Sequence, residues 1–180
     1  MNTSATGGYI LPDGGVVPND QDLEDIFQAF IKGVTGLSGQ MVRPRFQEKP
    51  PPVPAIGVDW VAFGVKSQRS DDGPYFDQHD ENAISIRHEV IDIFLSFYGT
   101  HGQHFAKLFT DGTAIPQNID QLKPHKIKFV GVGEVLTVPD LINEQYVHRF
   151  DVNATFRRKT ERIYPIQQIQ EPSEIKINSN

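Results

Sequence analysis

The chain has 180 residues, a formal net charge of −6 and no cysteine. These values exclude a disulfide framework and a cysteine nucleophile, and they argue against the basic surface of a general nucleic-acid-binding protein. A chain of this length can bury roughly 70% of its unfolded surface, which is enough for a core without cross-links.

The amino-terminal residues 1–18 combine glycine, proline and small polar residues, so we expect a flexible lead-in. They are too polar for a signal peptide. Nowhere does an apolar run approach the roughly 20 residues that cross a bilayer. The sequence therefore predicts a protein with no membrane partner.

The first helix is predicted over residues 20–35. Apolar side chains recur there at helical spacing, acidic residues follow the candidate N-cap Asn19, and Gly36 marks the end. The connection that follows carries five prolines between Pro44 and Pro54. Because proline lacks a backbone N–H and has a fixed φ, we expect this segment to be extended and solvated.

The first strand is predicted over residues 57–65, which contain the only tryptophan, Trp60. Residues 66–82 are polar and rich in turn formers, which indicates a long loop or hairpin tip. Residues 83–98 alternate strongly, and the parity of their apolar residues switches at Val90 and Ile91, as a β-bulge would cause. The remaining predicted elements are a helix at about 100–109, a connection at 116–124, an interrupted strand at 126–138 and a strand at 145–158.

Together these elements predict an α+β protein in which an antiparallel β-sheet with long strands is flanked by two α-helices. The last strand places Tyr146 and His148 on the same inward face as Phe150 and Phe156. We expect one domain over residues 19–166, followed by a polar carboxyl-terminal tail at 167–180. Strands of about 14–16 residues exceed the usual five or six, so their surplus length needs a partner or a turn.

Candidate catalytic and metal-binding residues are sparse. Asp77, His79, Asp80 and Glu81 offer oxygen and nitrogen ligands, but their spacing fits neither a zinc site nor a calcium loop. The motifs GxSxG, GxxxxGK[ST] and GxGxxG do not occur in the sequence. We therefore expect no enzyme activity, no cofactor and no bound metal.

Concentrated positive charge occurs near the end of the last strand, at Arg157, Arg158, Lys159 and Arg162. Lysine and arginine can contact phosphates. The simpler interpretation is that this cluster solubilises a strand end or pairs with an acidic neighbouring chain. We treat the four residues as possible partner contacts.

Several segments follow one another in a distinctive order. They are DLEDIFQAFIKGVTGL, MVRPRFQEKPPPVP, VDWVAFGV, a loop with PYF before a long β stretch, and RFDVNATFRRKTERIYPI. Together they resemble the neck (tail) terminator family of contractile-tailed bacteriophages. The resemblance covers roughly residues 20–166 and contains no catalytic signature.

The resemblance implies a structural virion protein at the head–tail neck, assembled in the host cytoplasm. It implies a homo-oligomeric ring, commonly a hexamer, that caps the tail tube and stops its polymerisation. The implied partners are the tail tube and sheath proteins and a head-completion or connector protein. Genomic DNA would only pass through the lumen, so Arg157, Arg158, Lys159 and Arg162 become candidates for lumen contacts, although a slippery lumen should not hold DNA tightly.

In such a ring, a stiff proline-rich arm at residues 41–54 can lie along a subunit boundary at little cost in ordering entropy. We therefore name Arg43, Arg45, Phe46 and Trp60 as candidate interface residues, because arginine and large aromatics often concentrate interface energy. The alternative is that the arm crosses only its own domain. Two other functions stay open at this point: a small metal-dependent enzyme and a monomeric peptide-binding module.

Overall fold

The computed structural model of the protein describes residues 2–142 and 144–167. Its helices and strands, in chain order, are α1 Asp20–Thr35, β1 Val42–Pro44, β2 Trp60–Ser70, β3 Tyr75–Gln78, β4 Ala83–Tyr98, α2 Gly102–Gly112, α3 Pro116–Asp120, β5 Ile127–Val132, β6 Leu136–Ile142 and β7 Gln145–Tyr164. Short 3-10 turns lie at Gly39–Met41 and Lys123–His125. None of the described helices is long and apolar enough to cross a membrane.

The strands form one sheet in the order β1-β2-β4-β7-β5, with β3 added to β4 and β6 added to β7. β1 pairs with β2 in parallel, whereas β2, β3, β5 and β6 pair with their long neighbours in antiparallel register. The predicted α+β class is confirmed. The described residues add one short helix, α3, in the segment expected to be a plain connection, where Pro116 occupies its first turn.

The chain divides into two compact units. The helical unit contains Pro18–Asp71 and His88–Lys159. The hairpin unit contains, among the described residues, 2–17, 72–87 and 160–167. The predicted boundaries of a flexible lead-in at 1–18, a domain at 19–166 and a tail at 167–180 stay predictions, and most of that tail lies outside the described residues.

The core of the helical unit lies between its helices and one face of the sheet. β4 contributes alternate residues from Ile91 to Phe97, and β7 contributes alternate residues from Phe150 to Phe156. The ring centroid of Phe156 lies 5.0 Å from that of Phe27 on α1 and 5.6 Å from that of Phe129 on β5. The period of two in the strands and of 3.6 in α1 brings these side chains together, as the sequence predicted.

Close packing of α2 against this core depends on a glycine at its start. A Cβ added to Gly102 would lie 3.1 Å from the Phe150 ring and 3.3 Å from the Phe97 carbonyl oxygen. The helix therefore approaches β4 and β7 more closely than a larger residue would allow.

The predicted bounds of α1 are confirmed, but the role of Asn19 differs from the prediction. Gly36 ends the helix with a φ of 75° and donates its N–H to the Lys32 carbonyl. The Asn19 side chain makes no capping hydrogen bond; its Oδ1 instead accepts a hydrogen bond from Arg158 Nη2 at 3.4 Å. The Asn19 side chain therefore bonds to a residue of β7 instead of capping its own helix.

Three strand predictions are changed by the structure. β2 begins at Trp60 and continues to Ser70, and β3 occupies part of the predicted loop at 66–82. The register irregularity between β2 and β4 falls between Val65 and Ser67, and Val90 and Ile91 pair with β2 without a break. β7 runs to Tyr164, so it is longer than the predicted 145–158.

The hairpin unit is built on the start of β4 and the end of β7. β3 pairs with β4 from Tyr75 opposite Ile86 to Gln78 opposite Ala83, and the turn closes where the His79 N–H donates to the Asn82 carbonyl at 2.8 Å. Near the amino terminus, Asp13 N–H donates to the Ile163 carbonyl at 2.9 Å.

Candidate functional site

The face of the sheet opposite the apolar core has a different composition, and we call it the polar face. Because paired residues in antiparallel strands share a face, the register fixes its members. They include Trp60, Ala62, Gly64 and Ser67 on β2, Asp92, Phe94, Ser96 and Tyr98 on β4, Val147, Arg149, Asp151, Asn153, Thr155 and Arg157 on β7, and Leu136, Val138 and Asp140 on β6.

The start of the proline-rich arm is fixed along the edge of the sheet. Val42 pairs with Val61, and the Arg45 N–H donates to the Phe63 carbonyl at 2.7 Å. The Arg43 guanidinium donates to the Pro52 carbonyl at 2.6 Å. Both ends of the proline run are therefore held by their own chain, and no helix or strand occurs between Pro44 and Trp60, as the prolines predict.

Trp60 lies where the polar face meets this arm. The Trp60 ring stacks on the Tyr98 ring, with centroids 4.5 Å apart and planes 10° apart. The Arg43 guanidinium lies 5.7 Å from the centroid of the Trp60 ring. Val147 joins this small cluster, which borders a narrow cleft with residues 53–58. Trp60 therefore packs between Arg43 of the arm and Tyr98 of β4, outside the main core.

Arg45 and Phe46 form a second contact between arm and sheet. Arg45 Nη2 donates to Ser96 Oγ at 2.6 Å, and its guanidinium lies 5.1 Å from the centre of the Phe94 ring. The buried Nε of Arg45 has no hydrogen-bond partner among the described residues. Phe46 has a positive φ of 62° and is 92% exposed. These two side chains line a groove of about 460 Å³ together with Gly64 and Phe94.

A chain of hydrogen bonds continues from Arg45 across the polar face. Ser96 Oγ donates to Asp151 Oδ1 at 2.6 Å, Arg149 donates to Asp151 at 2.9 Å, and Arg149 Nη1 donates to Asp140 Oδ2 at 3.0 Å. Burial opposes the charge of Arg149, but its hydrogen bond to Asp151, the charge of Asp151 and the hydrogen bond to Asp140 outweigh burial and raise its pKa. The network fixes the position of the arm relative to β4, β6 and β7.

The four basic candidates do not form one exposed cluster. Arg158 is 1% exposed, and its Nη2 donates to Glu89 Oε2 at 2.6 Å while Nη1 donates to the Pro18 carbonyl. Arg157 is exposed and lies 3.5 Å from Asp71, and Lys159 is half-buried. Arg162 belongs to the hairpin unit. Arg158 therefore acts within its own chain, whereas Arg157 is exposed.

The candidate metal ligands are not brought together in the structure. The described residues contain no group of three histidine or carboxylate side chains placed to hold a metal ion. Asp77 lies 3.7 Å from His79, and both are well exposed. The ring of His101 lies 2.9 Å from Asp59, which also accepts the His101 backbone N–H. That pair fixes the start of α2.

Sequence reasoning missed exposed apolar residues on the β6–β7 hairpin. Tyr146 was expected on the inward face but is 82% exposed, and His148 is also exposed. Leu136 and Leu141 on β6 are exposed as well. Alternation could not reveal this, because the outer part of β7 pairs with β6 beyond the helices that cover Phe150 and Phe156. The sequence feature that could have indicated this exposure was the unusual length of the last predicted strand.

These features define a class of protein: an α+β scaffold whose sheet carries a structured arm and exposed aromatic side chains rather than an assembled catalytic centre in its described part. Residues 21–180 match the family of phage neck terminator proteins. The chain belongs to that family. It is a structural protein of the phage tail and neck, it interacts with other phage proteins there, and it is not an enzyme. No curated protein gives a significant sequence match.

Proposed function

We propose that the chain forms a closed ring, of six copies, at the head–tail neck of a contractile-tailed phage. In this proposal the ring caps the tail tube, ends its polymerisation and docks the tail, with its sheath, to head-completion or connector proteins. Assembly takes place in the host cytoplasm, and genomic DNA passes through the lumen. Family membership supports the location, and the structure supports an assembly surface.

The observation that carries the proposal is the exposure of large apolar side chains on rigid elements. Single exposed apolar residues are ordinary. Here Phe46 projects from an arm fixed at both ends, and Leu136, Leu141 and Tyr146 project from one β-hairpin. Fixed aromatic side chains lose little entropy on binding, so they favour protein–protein contacts.

The intrachain contacts sharpen the roles of the candidate interface residues. Arg43 and Arg45 bind their own chain through Pro52 and Ser96, and Trp60 packs on Tyr98. We assign these three residues to positioning the arm. Phe46 is the arm residue that we assign to contact with a neighbouring subunit.

The first test is the mass of the purified protein in solution. Sedimentation or light scattering of the unaltered 20.2 kDa chain should give a mass several times that of one copy. A peptide-binding module would stay at the mass of one copy, and that result would overturn the ring. Electron micrographs of the purified protein then count the subunits.

The second test concerns Phe46. The Phe46→Ser variant should assemble about tenfold more weakly, whereas its free energy of unfolding should change by less than about 0.5 kcal/mol because the side chain is exposed. Tyr9→Ser is a matched control, since Tyr9 is 94% exposed and lies outside the arm. Replacing residues 47–53 by a short Gly/Ser link should also lower the mass. Unchanged assembly in both arm variants would exclude the arm from the interface.

A further inference from the structure

A groove of about 480 Å³ lies between α1 and residues 117–125 of the helical unit, and we call it the α1–α3 groove. Phe30 lines it, and the Phe30 ring packs on Phe156 with centroids 5.9 Å apart. Ile26 and Val34 also line the groove and are only half-buried, so apolar surface stays open to solvent. The groove is therefore built on residues fixed by the core, and it is open to a partner.

Gly33 on α1 also lines this groove, and the packing within one copy gives no reason for a glycine there. Outside the backbone of α1, a Cβ added at Gly33 would meet no described atom within 4 Å. Glycine inside a helix is less favourable than alanine or leucine. A partner side chain that occupies the space above Gly33 would account for the missing side chain.

The rim of the α1–α3 groove is polar. Gln117, Gln121 and His125 line it and are exposed. Amide groups and imidazole nitrogens can donate or accept hydrogen bonds. An apolar centre with a polar rim is the usual composition of a protein–protein contact. The groove therefore fits a partner side chain that is apolar along its length and polar at its end, as tyrosine is.

The β6–β7 hairpin of the same unit carries such a side chain. Leu141 on β6 pairs directly with Tyr146 on β7, so the two side chains lie next to each other on one face. They are 59% and 82% exposed. Tyr75 and Phe76 on β3 are exposed too, but they are consecutive and point to opposite faces. Within the described strands, no other directly paired positions hold two exposed large apolar side chains.

The β6–β7 hairpin offers this face rather than its edge. Pro139 lies in the edge strand β6, and proline lacks the N–H that an added strand would need. The hairpin and the α1–α3 groove both belong to the helical unit, and Tyr146 of the same copy does not line the groove. Docking of the hairpin in the groove therefore requires a second copy.

We propose that the β6–β7 hairpin of one copy docks in the α1–α3 groove of a second copy, with Leu141 and Tyr146 as the side chains that enter it. The inference rests on the proposed ring and assigns one of its contacts. The two surfaces differ, so their contact is heterologous and repeats from copy to copy until a ring closes.

The area of this contact defines the role of the two side chains. Burial of Leu141 and Tyr146 removes on the order of 300 Å² from water. A specific interface needs roughly 800 Å² on each partner. Leu141 and Tyr146 are therefore the central anchors, and the strands around them and the arm contact at Phe46 supply further area.

The first experiment fills the groove in the full chain. Gly33→Leu places a side chain in the open space, so it should weaken assembly about tenfold or more in sedimentation of a dilution series. It should also raise the melting temperature of the dissociated chain, because leucine favours a helix more than glycine does. A residue with only a structural role would not produce these opposite changes. Gly131→Leu on β5 is the matched control, since a Cβ there also meets no described atom within 4 Å and Gly131 lies outside the groove.

The reciprocal variant is Leu141→Ser with Tyr146→Ser, which should also weaken assembly about tenfold or more. Tyr9→Ser with Leu11→Ser makes the same change at exposed sites outside both surfaces. Mixing the groove variant with the hairpin variant leaves one intact hairpin and one intact groove. Because the reverse contact carries both changes, a heterologous contact then yields a one-to-one dimer that does not grow.

The outcomes separate this contact from the ring itself. If the unaltered chain forms a ring and both variants assemble as it does, this inference is wrong and the proposed ring stands. If only one of the two variants assembles weakly, the hairpin and the groove do not bind each other. The same conclusion follows if the mixture forms no dimer. If the unaltered chain is monomeric, the proposed ring itself fails.

Discussion

The two faces of the β4–β7 region are built from alternate residues of the same strands and use different interactions. One face, which includes Ile93, Leu95 and Phe156, packs against helices and is apolar over most of its length. The other connects Ser96 and Asp151 to arginines by hydrogen bonds. Burial of apolar area drives folding without fixing directions, whereas hydrogen bonds are directional. We infer that the first face stabilises the fold and the second positions the surfaces used for contacts.

The largest expected effect tests, within β7 alone, whether the apolar face of the sheet stabilises the fold. Phe156→Ala should lower the free energy of unfolding by about 3–5 kcal/mol, because the ring contacts Phe27, Phe30 and Phe129 and its removal leaves a cavity. Denaturant unfolding of the dissociated chain measures the loss.

Tyr146→Ala on the same strand is the matched control for Phe156→Ala. Tyr146 is 82% exposed, so its removal should change the free energy of unfolding by less than about 0.5 kcal/mol. A large loss at Tyr146 would show that the outer part of β7 contributes to the stability of the fold, and the division of roles would be wrong.

The second-largest expected effect concerns Arg158, a charged residue on the otherwise apolar face of the sheet. Arg158 is buried and pairs with Glu89, whose side chain is 13% exposed, and Arg158→Met should cost about 3 kcal/mol because Glu89 keeps a largely buried charge without its partner. Arg158→Met combined with Glu89→Leu should recover most of this loss. Denaturant unfolding of both single variants and the double variant gives the coupling energy. Independent, additive losses would contradict a buried ion pair.

The sequence was sufficient to predict α1 because its apolar residues keep one helical period, and β4 because its residues alternate strongly even though the apolar parity switches at Val90 and Ile91. The sequence also predicted two overlong strands, although it underestimated β7. It did not predict the polar network, since Arg45, Ser96 and Asp151 are distant in the chain and meet only through strand order. Arg158 looked exposed for the same reason, because its partner Glu89 lies on another strand.

The errors at Asn19 and Tyr146 also have tertiary causes. The Asn19 side chain accepts a hydrogen bond from Arg158, a residue 139 positions away. Tyr146 follows the parity of Phe150, yet no described helix packs over that end of β7 in the way that α2 packs over Phe150. Local pattern predicts which residues share a face, but the extent of the covering layer decides which of them are buried.

The smallest expected effect lies on the polar face and depends on pH. Hydrogen bonds donated by Thr155 and Ser67, each at 2.8 Å, lower the pKa of Asp92 from its ordinary value of 3.8, with help from Arg69 and Lys66 and against the opposing effect of burial. Since the folded-state pKa is depressed, the stabilisation is complete above the unfolded-state pKa. It is lost as the pH falls through the folded-state value.

Asp92→Asn should therefore lower the free energy of unfolding by about 1 kcal/mol at pH 7, and this difference from the unaltered chain should shrink towards pH 3. Asp111→Asn, at an exposed site on α2, should change it by less than about 0.5 kcal/mol at both pH values. Urea unfolding at the two pH values measures the change. Equal losses at pH 7 and pH 3 would mean that the two hydroxyls bind the neutral acid as well as the carboxylate. The polar face would then contribute through geometry alone, and its charges would be available for contacts with other subunits at no cost to the fold.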